Sequence, residues 1–162
     1  MQILVSGATG YIGKRLIPLL LNEGHTVICV VRDKERALNS FINHKNTIIA
    51  EADFLKTDTL INIPKQIDVA YYLIHSMSNS SSEFHSLEEK CAENFKCFME
   101  TTFVKQVVYL SGITNDTKLS KHLLSRKNVE NILQSNIYAL TTFKAGIIVG
   151  SGSSSFEIIR DL

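Results

Sequence analysis

Apolar residues along the chain occur in short uninterrupted runs that alternate with stretches of helical spacing. Runs rich in β-branched residues predict strands buried on both faces, and apolar residues recurring every three or four positions predict helices. The predicted strands cover residues 3–5, 26–31, 47–50, 69–74, 106–110, 138–143 and 147–149, and the predicted helices include 16–21, 83–103 and 120–134. This alternation predicts one parallel sheet with helices on both faces, which is a doubly wound, three-layer α/β/α fold.

Composition narrows the class of protein. The chain has 162 residues, of which 44% are hydrophobic and 20% charged, as in a single globular domain. The 17 Lys and Arg against 16 Asp and Glu leave a net charge of +1. No broad basic surface for nucleic acid is expected, so any anion that the chain binds must be held by a local site. The predicted partner is a small-molecule substrate of unknown identity. The sequence has no apolar run that could span a membrane and no signal-peptide pattern, which predicts a cytoplasmic location. Its three cysteines lack the spacing of metal ligands, so no metal site is predicted.

Three glycines follow the first predicted strand and open the first predicted helix. Gly7 would allow the tight turn, Gly10 the close approach of a pyrophosphate, and Gly13 the packing of helix on strand. The free N–H groups and the dipole of that helix N-terminus favour an anion. The turn therefore predicts a phosphate-binding cradle, and the intervening residues assigned to it are Thr9, Tyr11 and Ile12.

Residues 6–13, Ser-Gly-Ala-Thr-Gly-Tyr-Ile-Gly, resemble the fingerprint of the extended and atypical short-chain dehydrogenase/reductases. The resemblance continues at residues 22–25, 31–33, 52–55, 71–77 and 144–152. Within this family, the sequence is similar to the NmrA-like and complex-I-subunit-like set of nucleoside-diphosphate-sugar epimerases. It implies an NAD(P)-binding Rossmann domain over residues 1–162, without a C-terminal substrate-binding lobe. The implied activity is that of an NADP-dependent oxidoreductase or a nucleoside-diphosphate-sugar epimerase. A non-catalytic NADP(H)-binding redox sensor or assembly module is the alternative, and no substrate is named.

The residue after the second strand bears on the choice of cofactor. An acidic residue there binds the ribose hydroxyls of NAD, whereas an Arg accommodates the 2′-phosphate of NADP. The resemblance aligns the acidic position with Val31, and the next residue is Arg32, which favours NADP. NAD is the alternative, since Asp33 follows. The resemblance also implies that Asp53 bonds the adenine amine and that its neighbour Phe54 packs on the ring, although a turn-forming Asp53 is equally open.

Ser111 and His122 are the candidate catalytic residues. Reductases of this family use a Ser at the end of the fifth strand, which Ser111 matches, and a Tyr-x-x-x-Lys pair on the next helix. Here that pair falls on His122 and Arg126. His122 could transfer a proton because its ordinary pKa lies near working pH, whereas Arg126 could hold a ribose or phosphate but cannot shuttle protons. The missing pair favours the non-catalytic alternative and the annotation of relatives favours an enzyme, so the choice stays open.

The end of the fourth predicted strand supplies two further candidates. Leu73 and His75 lie where ligands bind in open α/β sheets and are assigned to the nicotinamide part of the site, although His75 could simply anchor a loop. An apolar stripe on the long helix, at positions 84, 87, 91, 95 and 98, predicts packing on the sheet, with a homodimer contact as the alternative. The helix predicted after residue 155 has only about two turns, from which we expect the sequence to be a piece of a longer protein.

Overall fold

One parallel sheet organises the molecule. The computed structural model describes residues 1–38, 44–75, 82–113 and 120–153, together with residues 156 and 160. Its strands are β1 (Gln2–Ser6), β2 (Thr26–Val31), β3 (Thr47–Glu51), β4 (Val69–Tyr72), β5 (Gln106–Gly112) and β6 (Ala139–Ala145). The helices are α1 (Tyr11–Asn22), α2 (Lys34–Leu38), α3 (Ser82–Met99) and α4 (Lys121–Ile132), with a 3-10 helix over Thr57–Asn62.

The strand order β3-β2-β1-β4-β5-β6 confirms the doubly wound Rossmann fold. Every strand pair is parallel, and β1 lies between β2 and β4, as the glycine turn after it predicts. The chain runs outward in one direction from β1 to β3 and in the other from β4 to β6. The loops after β1 and β4 therefore diverge, which opens a crevice at the carboxyl ends of these two strands.

The two faces of the sheet carry separate apolar clusters, because side chains alternate along each strand. One cluster includes Leu4 and Ile28 and packs under α3 and α4; the other includes Val5 and Cys29 and packs under α1. An aromatic group lies in the first cluster, with edge-to-face contacts and ring centroids 4.8–5.8 Å apart. Its members are Phe54, Tyr72, Phe95 and Tyr109.

Several boundaries differ from the sequence-based prediction, and for two of these differences the structure shows a physical reason. Residues 147–149 were predicted as a strand, and this is wrong, since β6 ends at Ala145 and these residues have no regular structure. The side chain of Ile148 lines a cavity, so the apolar run belongs to a loop that forms part of the cavity wall and not to a strand. The long helix ends at Met99, four residues early, where the hydroxyls of Thr101 and Thr102 bond the carbonyls of its last turn. In the described part of the chain, no helix is both long and apolar enough to cross a membrane.

Candidate functional site

A cavity of about 310 Å³ lies at the crevice between the β1 and β4 loops. Eight of the residues predicted for the cofactor site line it: Gly7, Gly10, Tyr11, Ile12, Gly13, Leu73, His75 and Arg126. The remaining wall comes from Leu110 and from the segment after β6. A larger groove of about 750 Å³ lies between the ends of α3 and α4 and strand β6, and none of the predicted site residues line it.

The glycines of the turn are required by contact distances. Gly7 has a φ of 71°, a left-handed conformation, and a Cβ there would lie 2.6 Å from the carbonyl oxygen of Leu73. A Cβ on Gly13 would lie 2.5 Å from the carbonyl oxygen of Gly7. Both distances are far inside van der Waals contact with backbone atoms that cannot move aside. The Gly10 N–H donates to the Gly7 carbonyl at 2.9 Å and closes the turn.

The N-terminus of α1 has no internal partner for its first N–H groups. Gly10 is the N-cap and has no side chain to cap the helix, and the first turn holds no acidic residue. The first bond to the cap is from the Lys14 N–H to the Gly10 carbonyl, at 3.0 Å. Within the described residues, the N–H groups of Tyr11, Ile12 and Gly13 meet no acceptor. The positive end of the helix dipole is thus left for an anion supplied from outside the chain.

The segment 146–153 supplies part of the cavity wall and is attached to α1. Arg15 donates through Nη2 to the carbonyl of Ser151 at 2.6 Å, and its guanidinium stacks 3.7 Å from the ring centroid of Tyr11. A Cβ on Gly150 would overlap the Tyr11 hydroxyl. Sequence reasoning did not assign Arg15 or this segment to the site. The cluster of glycines at 146, 150 and 152 was the available signal.

His75 lies on the cavity wall as a neutral imidazole. Its Nε2 is buried and has no hydrogen-bond partner among the described residues. Burial, and to a lesser extent the positive charge of Arg126, lower the pKa of His75 to about 4, although a hydrogen bond to the Leu110 backbone acts in the opposite direction. The ring is neutral at physiological pH, with a permanent cation nearby.

The predicted catalytic residues are not brought to the cavity wall. Ser111 is fully buried, and its hydroxyl meets no hydrogen-bond partner of good geometry in the described structure. The neighbouring Tyr109 hydroxyl donates to the Arg126 carbonyl at 3.2 Å, and burial raises the pKa of Tyr109 to about 12. His122 is exposed on α4 and does not line the cavity.

Contacts between α3, α4 and β5 hold Arg126 at the cavity. The Ser125 hydroxyl donates to the Glu88 carboxylate, and the Asn128 side chain donates to Glu89 at 2.6 Å. A Cβ on Gly112 would lie 2.6 Å from the Cδ2 of Leu123 on α4, so the glycine lets α4 approach the strand end. The position of the guanidinium therefore depends on helix packing.

The adenine side of the predicted site is less complete. Arg32 is exposed directly after β2, while the Asp33 carbonyl accepts from the Ala37 N–H at 3.2 Å and begins α2. Asp53 accepts the Leu55 N–H at 3.0 Å, which is a turn-forming contact. The expected stacking of Phe54 on adenine is not supported, because its ring is 2% exposed in the core and packs 5.2 Å from Phe95. Thr9 lies exposed in the turn, outside the cavity wall.

The fold and the glycine turn define a Rossmann domain with an uncapped helix N-terminus at its switch point. A sequence model described as NAD(P)H-binding matches residues 7–146, and the chain belongs to this family. The nicotinamide dinucleotides are thus the cofactor class of the family.

Known proteins similar to the chain agree with this assignment. It is 23% identical over 154 residues to the Photosystem II assembly factor Ycf39 of Synechocystis sp., covering 91% of this chain and 47% of that protein. It is 31% identical over 121 residues to isoflavone reductase homolog P3 of Arabidopsis thaliana, covering 69% of this chain and 38% of that protein. The crystal structure of Gre2 with NADPH from Candida albicans has a TM-score of 0.78 at 19% identity, covering 99% of this chain and 65% of that one. The chain spans about half or less of the length of these two curated relatives.

Proposed function

We propose that the chain is the cofactor-binding domain of an NADP(H)-dependent oxidoreductase, with the dinucleotide held at the switch-point cavity. The observation that carries this proposal is the N-terminus of α1, where the N–H groups of three consecutive residues have no acceptor among the described residues. The turn before it requires glycine at positions 7 and 13, because a Cβ at either position would clash with backbone atoms. Such an N-terminus stabilises a pyrophosphate through hydrogen bonds and the helix dipole. The residues present therefore fit a dinucleotide.

Each end of the dinucleotide has candidate partners along the carboxyl edge of the sheet. Arg32 follows β2, where a 2′-phosphate is accommodated in Rossmann folds, and Asp53 follows β3 on the adenine side. His75 and Arg126 stand at the other end, beside an apolar wall that includes Leu110. A bound nicotinamide supplies or accepts a hydride, and the chain binds and orients it.

Reductase activity is favoured by the names of several relatives, among them the isoflavone reductase homolog and two pinoresinol-lariciresinol reductases. Ser111 and His122 remain the candidate catalytic residues, with His122 as the candidate for proton transfer. Because His122 is exposed on α4, this role requires the substrate, or a shift of α4, to connect it with the cavity. The substrate is a small molecule of undetermined class.

A non-catalytic NADP(H)-binding module is the second candidate. The observation in its favour is that neither Ser111 nor His122 lines the cavity. Two relatives carry names without a reaction, a photosystem II assembly factor and the auxiliary protein GraX of Staphylococcus aureus. In this version the bound dinucleotide changes the affinity for a protein partner.

Calorimetric titration with NADPH and NADH tests the shared part of both candidates. We expect NADPH to bind more tightly, and failure of both dinucleotides to bind would contradict the proposal. Turnover of carbonyl compounds and nucleotide sugars with NADPH then separates the candidates. If His122 is the acid, His122→Ala lowers turnover by about 100-fold with little change in NADPH affinity. Turnover that survives both His122→Ala and Ser111→Ala would show that the chemistry lies elsewhere.

A further inference from the structure

The nicotinamide end of the cavity contains two uncommitted polar groups of opposite hydrogen-bonding character. Four side chains on the wall carry polar atoms: Tyr11, His75, Arg126 and Ser153. Tyr11 is stacked under Arg15, and the Ser153 hydroxyl accepts the Gly150 N–H. Of the four, His75 carries a buried nitrogen without a partner among the described residues and Arg126 carries a permanent positive charge, so these two have the most to gain from a ligand in this part of the cavity.

The free nitrogen of His75 is an acceptor. Its ring is hydrogen-bonded to the Leu110 backbone, while Nε2 is buried without a partner among the described residues. The bond to Leu110 is therefore made by Nδ1, which donates to the carbonyl. In a neutral imidazole the other nitrogen then carries a lone pair and no proton. A buried acceptor left unpaired destabilises the structure, so a ligand that brings a donor is favoured.

Arg126 supplies the complementary group. A guanidinium carries only donors and stays charged at every accessible pH. In the described part of the chain it makes no side-chain hydrogen bond or ion pair, and its charge acts on His75. A ligand group that accepts from Arg126 and donates to His75 would satisfy both side chains.

We infer that His75 Nε2 and the Arg126 guanidinium together recognise a primary carboxamide, whose N–H donates to His75 and whose carbonyl accepts from Arg126. A carboxylate fits less well because it has no hydrogen to offer Nε2, and a simple ketone fails for the same reason. The nicotinamide ring carries such a carboxamide, so the inference rests on the proposed function. It makes His75 a positioning residue that fixes the rotation of the carboxamide and, with it, the ring face turned to a substrate.

A ligand-side change tests this inference directly. The 3-acetylpyridine analogue of the dinucleotide keeps the carbonyl but replaces the amide nitrogen by a methyl group. We expect the protein to bind NADP⁺ about tenfold more tightly than its acetylpyridine analogue, equivalent to one hydrogen bond to a buried group. In His75→Phe we expect this ratio to fall to near one. His25→Phe is the matched control, because His25 precedes β2 and so lies at the amino ends of the strands, away from the cavity. This variant should keep the ratio of the unchanged protein.

The outcomes distinguish a failure of the carboxamide assignment from a failure of the proposed function. Equal affinity of the unchanged protein for NADP⁺ and the analogue would overturn the carboxamide assignment while leaving the proposed function intact. So would a ratio that is the same in His75→Phe as in the unchanged protein. Absence of binding by both compounds and by their NAD⁺ counterparts would overturn the proposed function and this inference with it. If His75→Phe does not fold, the ratio in the unchanged protein, which needs no variant, still decides.

Discussion

The two ends of the cavity are built in different ways. At the α1 end the site consists of backbone: the turn at Gly7, the cap at Gly10 and the unpaired N–H groups that follow. At the β5 and α4 end it consists of side chains, chiefly His75 and Arg126, which different elements bring together. A backbone site needs only the right residues in one short segment, whereas a side-chain site depends on the packing of the whole layer. The first end should therefore respond to steric changes and the second to changes of charge and hydrogen bonding.

The largest expected effect is at the backbone end. In Gly13→Val, the new Cβ would lie 2.5 Å from the Gly7 carbonyl oxygen, so either the turn or α1 must move. Overpacking of this kind costs about 1–3 kcal/mol, and we expect dinucleotide affinity to fall by about 100-fold with a lower Tm. Calorimetry and thermal unfolding measure both quantities.

Gly24→Ala is the control for that experiment. Gly24 also has a positive φ, of 80°, but a Cβ there would meet no atom within 4 Å. We expect a lower Tm from backbone strain and an unchanged dinucleotide affinity. Similar affinity losses in both variants would show that the cavity responds to general destabilisation and would remove the contrast between its ends.

The second effect belongs to the side-chain end and appears as a pH dependence of stability. The pKa of His75 is about 4 in the folded protein, against 6.5 for an ordinary histidine, chiefly because of burial. The unfolded chain therefore binds more protons between these values, and stability should fall as the pH drops from about 6.5 towards 4. Urea unfolding of the unchanged protein and His75→Phe over this range measures it as the difference in slope, and parallel pH profiles would contradict it.

The contrast between the two ends also explains what the sequence could predict. The strand order and the Gly7–Gly13 turn were predictable, because apolar runs define buried strands and glycine is the residue that such a turn tolerates. The positions of Phe54 and of residues 147–149 could not be predicted, because the sequence does not distinguish an apolar side chain that enters the core from one that lines a cavity. Ser111 matched a motif position, but its burial under α4 depends on how closely that helix packs at Gly112.

A third and smaller effect concerns the charge at the adenine end. Arg32→Ala should reduce the preference for NADPH over NADH by about tenfold, because a charge-assisted contact contributes about 1.5–3 kcal/mol and an exposed one lies at the lower limit. Lys34→Ala is the matched control, since Lys34 is also exposed and stands two residues further along. Calorimetric titrations with both cofactors measure the ratio. An unchanged ratio in Arg32→Ala would remove Arg32 from the site.

The smallest effect should come from the attachment between the backbone end and the segment 146–153. Arg15 donates to the Ser151 carbonyl at 2.6 Å and stacks on Tyr11, so it holds this segment, which supplies part of the cavity wall, against α1. Because both contacts are exposed, their loss in Arg15→Ala should be worth only about 0.5–1 kcal/mol. We expect the segment to open more often, so that the dissociation rate of NADPH rises about threefold while the association rate does not fall. Stopped-flow fluorescence measures both rates. Lys14→Ala removes an exposed cation at the adjacent position and should leave them unchanged. If both variants slow association instead, the two cations attract the dinucleotide by charge, and the segment is not what retains it.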